Sequence, residues 1–195
     1  MGGQIKNRQI QKQNTYTKIL DTYKVLVIEN GFNNVSTKMI SKEANVAQGS
    51  IFMHFNSKAN LNAILVQNLI KDIESSMALI DLKKIKLNDF VKTFVECLST
   101  NELLLGRTLQ NYIDFNPNIQ NMIDQFLTSI KDVIFNFIQK SSKNKLSIID
   151  TFTAVDAFWS QINLNLITNK QYSLNSKILI TDLGKLNKLF KILFL

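Results

Sequence analysis

Residues 35–61, VSTKMISKEANVAQGSIFMHFNSKANL, leave the backbone few choices. Ser36 or Thr37 can start a helix, because a side-chain oxygen there accepts one of the backbone N–H groups that the first turn leaves without a partner. Ile40 and Ala44 stand at i and i+4 and share one face. Asn45 falls where the chain must turn, and Asn tolerates the left-handed conformation better than any residue but Gly. Val46 can plug the corner. Residues 48–55 then predict a second short helix with Ile51 and Phe55 turned inward, and Ser57 can cap a longer third. Two short helices across such a turn form a helix-turn-helix, whose second helix has the shape to enter a DNA major groove.

The rest of the chain must be mostly helical, since its 195 residues include one Pro and only six Gly. Apolar residues recur at helical spacing. Ile19, Tyr23, Leu26 and Val27 predict a helix over 14–30, stopped by Gly31 in a left-handed conformation. Leu61, Ile64, Leu65, Leu69 and Ile73 form the seam of a helix over 58–79. After a charged connection at 81–86, helices are predicted over 87–99 and 102–111. Pro117 excludes a helix at Asn116 and opens one over 117–140. Helices over 147–168 and 174–195 complete the chain. Residues 1–13 read as a flexible basic arm, 14–60 as a helix-turn-helix domain, and 61–195 as a linking helix plus a larger helical domain.

The formal net charge is +8, and residues 1–60 hold eight basic against three acidic side chains while the remaining 135 hold 15 against 12. A basic N-terminal third points to a polyanionic partner. No stretch approaches the roughly 20 apolar residues of a membrane span, and no secretory leader is evident. Cys97 is the sole cysteine, which excludes an intramolecular disulfide and fits a reducing cytoplasm. One His, one Cys, scattered carboxylates and no glycine-rich phosphate loop offer neither a catalytic constellation nor a metal cluster, so no cofactor is expected.

Gly31-Phe32, Ser36-Thr37, Ile40-Ser41, Ala44-Asn45-Val46-Ala47, Gly49-Ser50-Ile51-Phe52, His54-Phe55, Ser57-Lys58 and Leu61 follow one another in an order and spacing that resembles the DNA-binding domain of the TetR family of bacterial transcriptional repressors. Three positions depart from that pattern. Asn45 replaces a turn glycine, Ala47 replaces a serine that caps the recognition helix, and Phe52 replaces a tyrosine whose hydroxyl commonly reaches a phosphate. The resemblance implies an all-α homodimer with a three-helix DNA-binding domain followed by an antiparallel ligand-binding and dimerisation domain. It further implies repression at a pseudo-palindromic operator, relieved when an unidentified small molecule binds the C-terminal domain and moves the linking helix.

For contact with the operator the sequence nominates Gln48, Gly49, Ser50, Met53 and His54 on the second motif helix, Thr37 and Lys38 at the start of the first, and Lys58 on the far flank. A Gln amide can pair bidentately with adenine, Met53 can touch a thymine methyl, and the lysines suit phosphates. The ligand-cavity candidates are Phe94, Cys97, Tyr112, Met122, Phe126, Phe158, Trp159, Gln161 and Asn163, although an aromatic interior is as often plain core. The last two helices are too apolar to leave one side in water, which nominates Phe152, Val155, Ile162, Leu179, Leu183, Leu186 and Phe190 for a dimer interface. Two rival readings belong to other classes: a dimeric interaction module that docks on a protein or an anionic membrane surface, and a helical enzyme with a vestigial helix-turn-helix.

Overall fold

The computed structural model describes residues 2–141, 146–168 and 177–194. Their elements are α1 (Gly2–Asn30), α2 (Thr37–Glu43), α3 (Gln48–Phe55), α4 (Lys58–Met77), α5 (Leu87–Ser99), α6 (Glu102–Gln110), a short 3-10 helix (Tyr112–Asp114), α7 (Pro117–Ser141), α8 (Ile148–Thr168), α9 (Ile178–Thr181) and α10 (Leu183–Phe194). The described residues contain no strand. The fold is all-α, with an N-terminal helix-turn-helix domain and a larger helical domain behind it.

Local chemistry sets most of the boundaries. Ser36 Oγ accepts the Met39 N–H at 3.1 Å to cap α2, and Ser57 Oγ accepts the Asn60 N–H at 3.1 Å to cap α4. Asn116 Oδ1 accepts the Ile119 N–H ahead of Pro117, and Ser147 Oγ accepts the Asp150 N–H at the head of α8. Gly31 takes φ +81° and its N–H bonds the Val27 carbonyl, closing α1.

Two expectations are corrected. The basic segment 1–13 is helical from Gly2 onward, as the first part of α1, although the side chains of residues 6–14 are all exposed. Packing of Ile19, Tyr23 and Val27 fixes a helical nucleus, and extending it backward adds one hydrogen bond per residue without a second nucleation cost. The predicted helix over 174–195 is instead divided at Asp182 into α9 and α10; residues 174–176 and 195 of that prediction lie outside the described residues. Thr181 and Asp182 favour helix ends because their side chains bond nearby groups. Thr181 Oγ1 donates to the Lys177 carbonyl, and Asp182 Oδ1 accepts from Lys185 Nζ.

In the larger domain α8 lies against α6, α7 and α10, while α5 packs on α9 and α10. Their shared interior is aromatic. Phe90 stacks on Phe137 with ring centroids 3.8 Å apart, and Phe94 and Phe190 each lie 5.7 Å from Phe90. Phe158 meets Phe190 edge-on at 5.2 Å.

The two domains are joined by more than α4. Arg107 of α6 donates from Nε to the Ile28 carbonyl at 2.8 Å and from Nη2 to the Glu29 carbonyl at 3.0 Å, at the C-terminal end of α1. Lys24 Nζ donates to Asn101 Oδ1, Asn33 Nδ2 to Asp114 Oδ2, and the Phe32 and Phe115 rings meet at 4.9 Å.

Tyr23 on α1 is fully buried and donates its hydroxyl to Asn62 Oδ1 on α4. Burial holds this phenol protonated far above its ordinary range. A group whose pKa is raised by folding contributes stability that is complete below its unfolded pKa and is lost as pH climbs toward the folded value. Urea midpoints of the wild type are therefore expected to fall as pH rises through 10, the ordinary tyrosine value, and the fall should be shallower in Tyr23→Phe.

Candidate nucleic-acid interface

The motif is built from a turn that only a few residues can make. Asn45 adopts φ 48°, its N–H bonds the Lys42 carbonyl at 3.2 Å, and the Val46 N–H bonds the Ser41 carbonyl at 3.0 Å. This pair of bonds is a Schellman stop, and it swings α3 steeply away from α2. Ile40, Ile51 and Phe55 lock the angle from inside with no exposed surface, and Val46 packs half-buried against them. Ala47 precedes α3 without any side-chain cap, as the loss of the usual serine predicts.

The exposed face of α3 consists of Gln48, Gly49, Phe52 and Met53. These residues stand at i, i+1, i+4 and i+5, so they share one side of the cylinder. Gln48 Nε2 donates to Thr37 Oγ1 at 3.0 Å, which holds the amide in place while its Oε1 and second N–H stay available for a base edge. Ser50 is half-buried on the flank. His54 is also half-buried, lying edge-on to Tyr16 of α1 with centroids 6.2 Å apart. These two nominated residues therefore sit at the border of the face, not on it. Phe52, not nominated, sits within it at 45% exposure. Its signal was present in the sequence, since Phe52 follows Gln48 by one turn.

A family model for bacterial regulatory proteins of the tetR family matches residues 19–63, which spans the last twelve residues of α1, then α2, the turn, α3 and the head of α4. Residues 19–63 are thus similar to the TetR family's N-terminal domain. Over 63 residues the chain is 38% identical to the HTH-type transcriptional regulator UidR of Escherichia coli K12, a match covering 32% of this chain and 32% of the relative. The chain thus spans about a third of the length of that curated relative. Across the whole fold it is similar to a transcriptional regulator from Aquifex aeolicus VF5, with a TM-score of 0.70 at 19% identity, covering 92% of this chain and 99% of that one. Salmonella enterica GusR gives a TM-score of 0.68 at 16% identity, covering 93% and 95%.

Around the TetR-type α3, Lys38 and Lys42 of α2 are exposed, and Thr37 is half-buried under the Gln48 amide. Lys58 behaves differently from its nomination. Its Nζ donates to the Phe32 carbonyl at 2.9 Å, tying the head of α4 to the loop after α1, and partial burial lowers its pKa. Its first duty is to brace the domain. Gly49 has nothing within 4 Å of the place a Cβ would occupy. Gly49→Ala should accordingly fold as well as wild type, with Tm unchanged or raised because alanine is favoured over glycine in helices by up to about 1 kcal/mol. The added methyl would stand on the exposed face, so weaker duplex binding in a gel-shift titration is expected despite the intact fold.

The nominated ligand residues do not converge on one site. Phe94 and Phe158 are fully buried in the aromatic interior, and Trp159 is nearly so. Tyr112 donates to the Asp124 carboxylate at 2.9 Å, which raises its pKa, and Gln161 Nε2 donates to Asn165 Oδ1. Cys97 is half-buried, and burial with Glu96 nearby raises its thiol pKa. Asn163 Oδ1 is buried without a hydrogen-bond partner. Met122 and Phe126 share the wall of a groove of about 650 Å³ between α4 and α7 whose other walls are Gln67, Asn68, Ile70, Lys71, Glu74 and Gln125.

The nominated dimer residues are corrected as well. Val155, Ile162, Leu179, Leu186 and Phe190 are buried within a single chain. The apolar stripes of α8, α9 and α10 face α5, α6, α7 and one another, so they fill the protomer core before any partner arrives. Leu183 is half-buried, and Phe152 alone of the seven is exposed.

Proposed function

We propose that this chain is a TetR-type transcriptional regulator that binds duplex DNA through α3, acts as a homodimer on a pseudo-palindromic operator, and represses until a small molecule releases it. The observation that carries the reading is the exposed α3 face with its pre-positioned Gln48 amide, set beside exposed Lys38 and Lys42. Amide groups read adenine edges and lysines neutralise phosphates. Pairing two such helices about a twofold axis would call for a separation of about 34–36 Å, one DNA turn.

The dimer is supported by a face of α8 on which Ile149, Phe152 and Leu164 are exposed at helical spacing. A ligand in the groove between α4 and α7 would touch the helix that enters the DNA-binding domain, and it would act by favouring one spacing of the two recognition helices over another. No helix among the described residues is long and apolar enough to cross a membrane, and the proposed site of action is the cytoplasm.

The test is retention of a randomised duplex pool on the full-length protein at stepped salt. A regulator of this kind should enrich inverted repeats, with affinity falling linearly in log–log against salt. Analytical ultracentrifugation of the same sample should give a dimer. Retention of anionic vesicles with no duplex enrichment would overturn the reading.

A further inference from the structure

We propose that α3 reads thymine methyl groups, so that the centre of each half-site is A·T-rich; the inference rests on the DNA-binding reading above. The helix sequence QGSIFMHF contains neither Lys nor Arg. Guanine offers two acceptors, O6 and N7, to the major groove, and the usual partner is a cationic donor fork. The α3 face supplies none. It offers one amide, Gln48, already held by Thr37, and a glycine with open space above it. The remainder is apolar: Phe52 is 45% exposed and Met53 is 73% exposed.

Large apolar side chains facing water on an otherwise well-buried motif call for an apolar occupant. Within the major groove the only apolar group on an unmodified base is the C5-methyl of thymine. Phe52 and Met53 lie on the same side of the cylinder as Gln48, one turn and slightly more beyond it. An adenine paired to the Gln48 amide brings a thymine on the opposite strand, and its neighbours along the groove come under Phe52 and Met53.

The decisive comparison uses two randomised duplex pools identical except that one carries uracil in place of thymine, which removes the methyl and leaves every hydrogen-bonding group. The thymine pool should yield half-sites with A·T pairs at their centre. Replacing a contacted thymine by uracil in the enriched duplex should weaken binding about fourfold, the weight of one buried methyl group. Phe52→Ala and Met53→Ala should each lose part of that discrimination, whereas Gln48→Ala should weaken binding while retaining it. Equal affinity of the wild type for the thymine and uracil duplexes, or G·C pairs at the enriched centre, would overturn the methyl reading and leave DNA binding standing. Retention of neither pool would overturn both.

Discussion

Glu102→Ala is expected to remove about 3 kcal/mol of stability, roughly the cost of stranding two buried backbone donors. Glu102 heads α6 yet is 1% exposed, and its two carboxylate oxygens accept the Ile178 and Leu179 N–H groups at 2.8 and 2.9 Å. It is therefore the cap of α9, a helix of four residues that contributes none of its own. Charge-assisted bonds of this kind are roughly twice as strong as neutral ones. For a chain of this length the loss should lower Tm by roughly 6–12 °C. Glu102→Gln retains one acceptor and should recover about half of the loss. Glu96→Ala is the control: its pairing with Lys92 spans 3.9 Å between exposed side chains, and such pairs contribute little, about 0.5 kcal/mol or less.

Arg107→Ala is expected to loosen the attachment of the DNA-binding domain and to remove roughly 2 kcal/mol. Its guanidinium spans the Ile28 and Glu29 carbonyls, which α1 cannot satisfy internally at its end, and a cation there also complements the helix dipole. Hydrogen exchange should speed up in the last turn of α1 and the loop to α2, while amides under Ile51 and Phe55 stay protected because the motif core is untouched. Arg107→Lys should restore little, since a single ammonium cannot reproduce a planar fork aimed at two oxygens. Unchanged exchange at residues 28–34 would show that α4 and the remaining cross-domain contacts, Lys24–Asn101, Asn33–Asp114 and Phe32–Phe115, hold the domains in register without Arg107.

These two residues mark the limit of what the linear chain discloses. Helix starts and stops were legible because their causes are local: Ser36, Ser57, Pro117 and Gly31 each act within about four residues of their own position. The turn at Asn45 was legible for the same reason, and so was the inward set Ile40, Ile51 and Phe55, because the 3.6-residue period decides which side chains share a face. The recognition helix followed from these, with Phe52 overlooked although its spacing from Gln48 placed it on the exposed face.

The tertiary structure decided everything that depends on a partner distant in sequence. Val155, Ile162, Leu186 and Phe190 read as apolar stripes, but a stripe does not say whether it meets another helix of the same chain or of a second copy. Lys58 read as a phosphate contact, whereas Phe32, 26 positions earlier, brings a carbonyl to it. Glu102 stands in the first turn of α6, and its carboxylate serves backbone groups 76 and 77 residues away. Periodicity and capping are properties of neighbours along the chain, whereas burial and cross-domain hydrogen bonds are properties of neighbours in space, and only folding makes the second set.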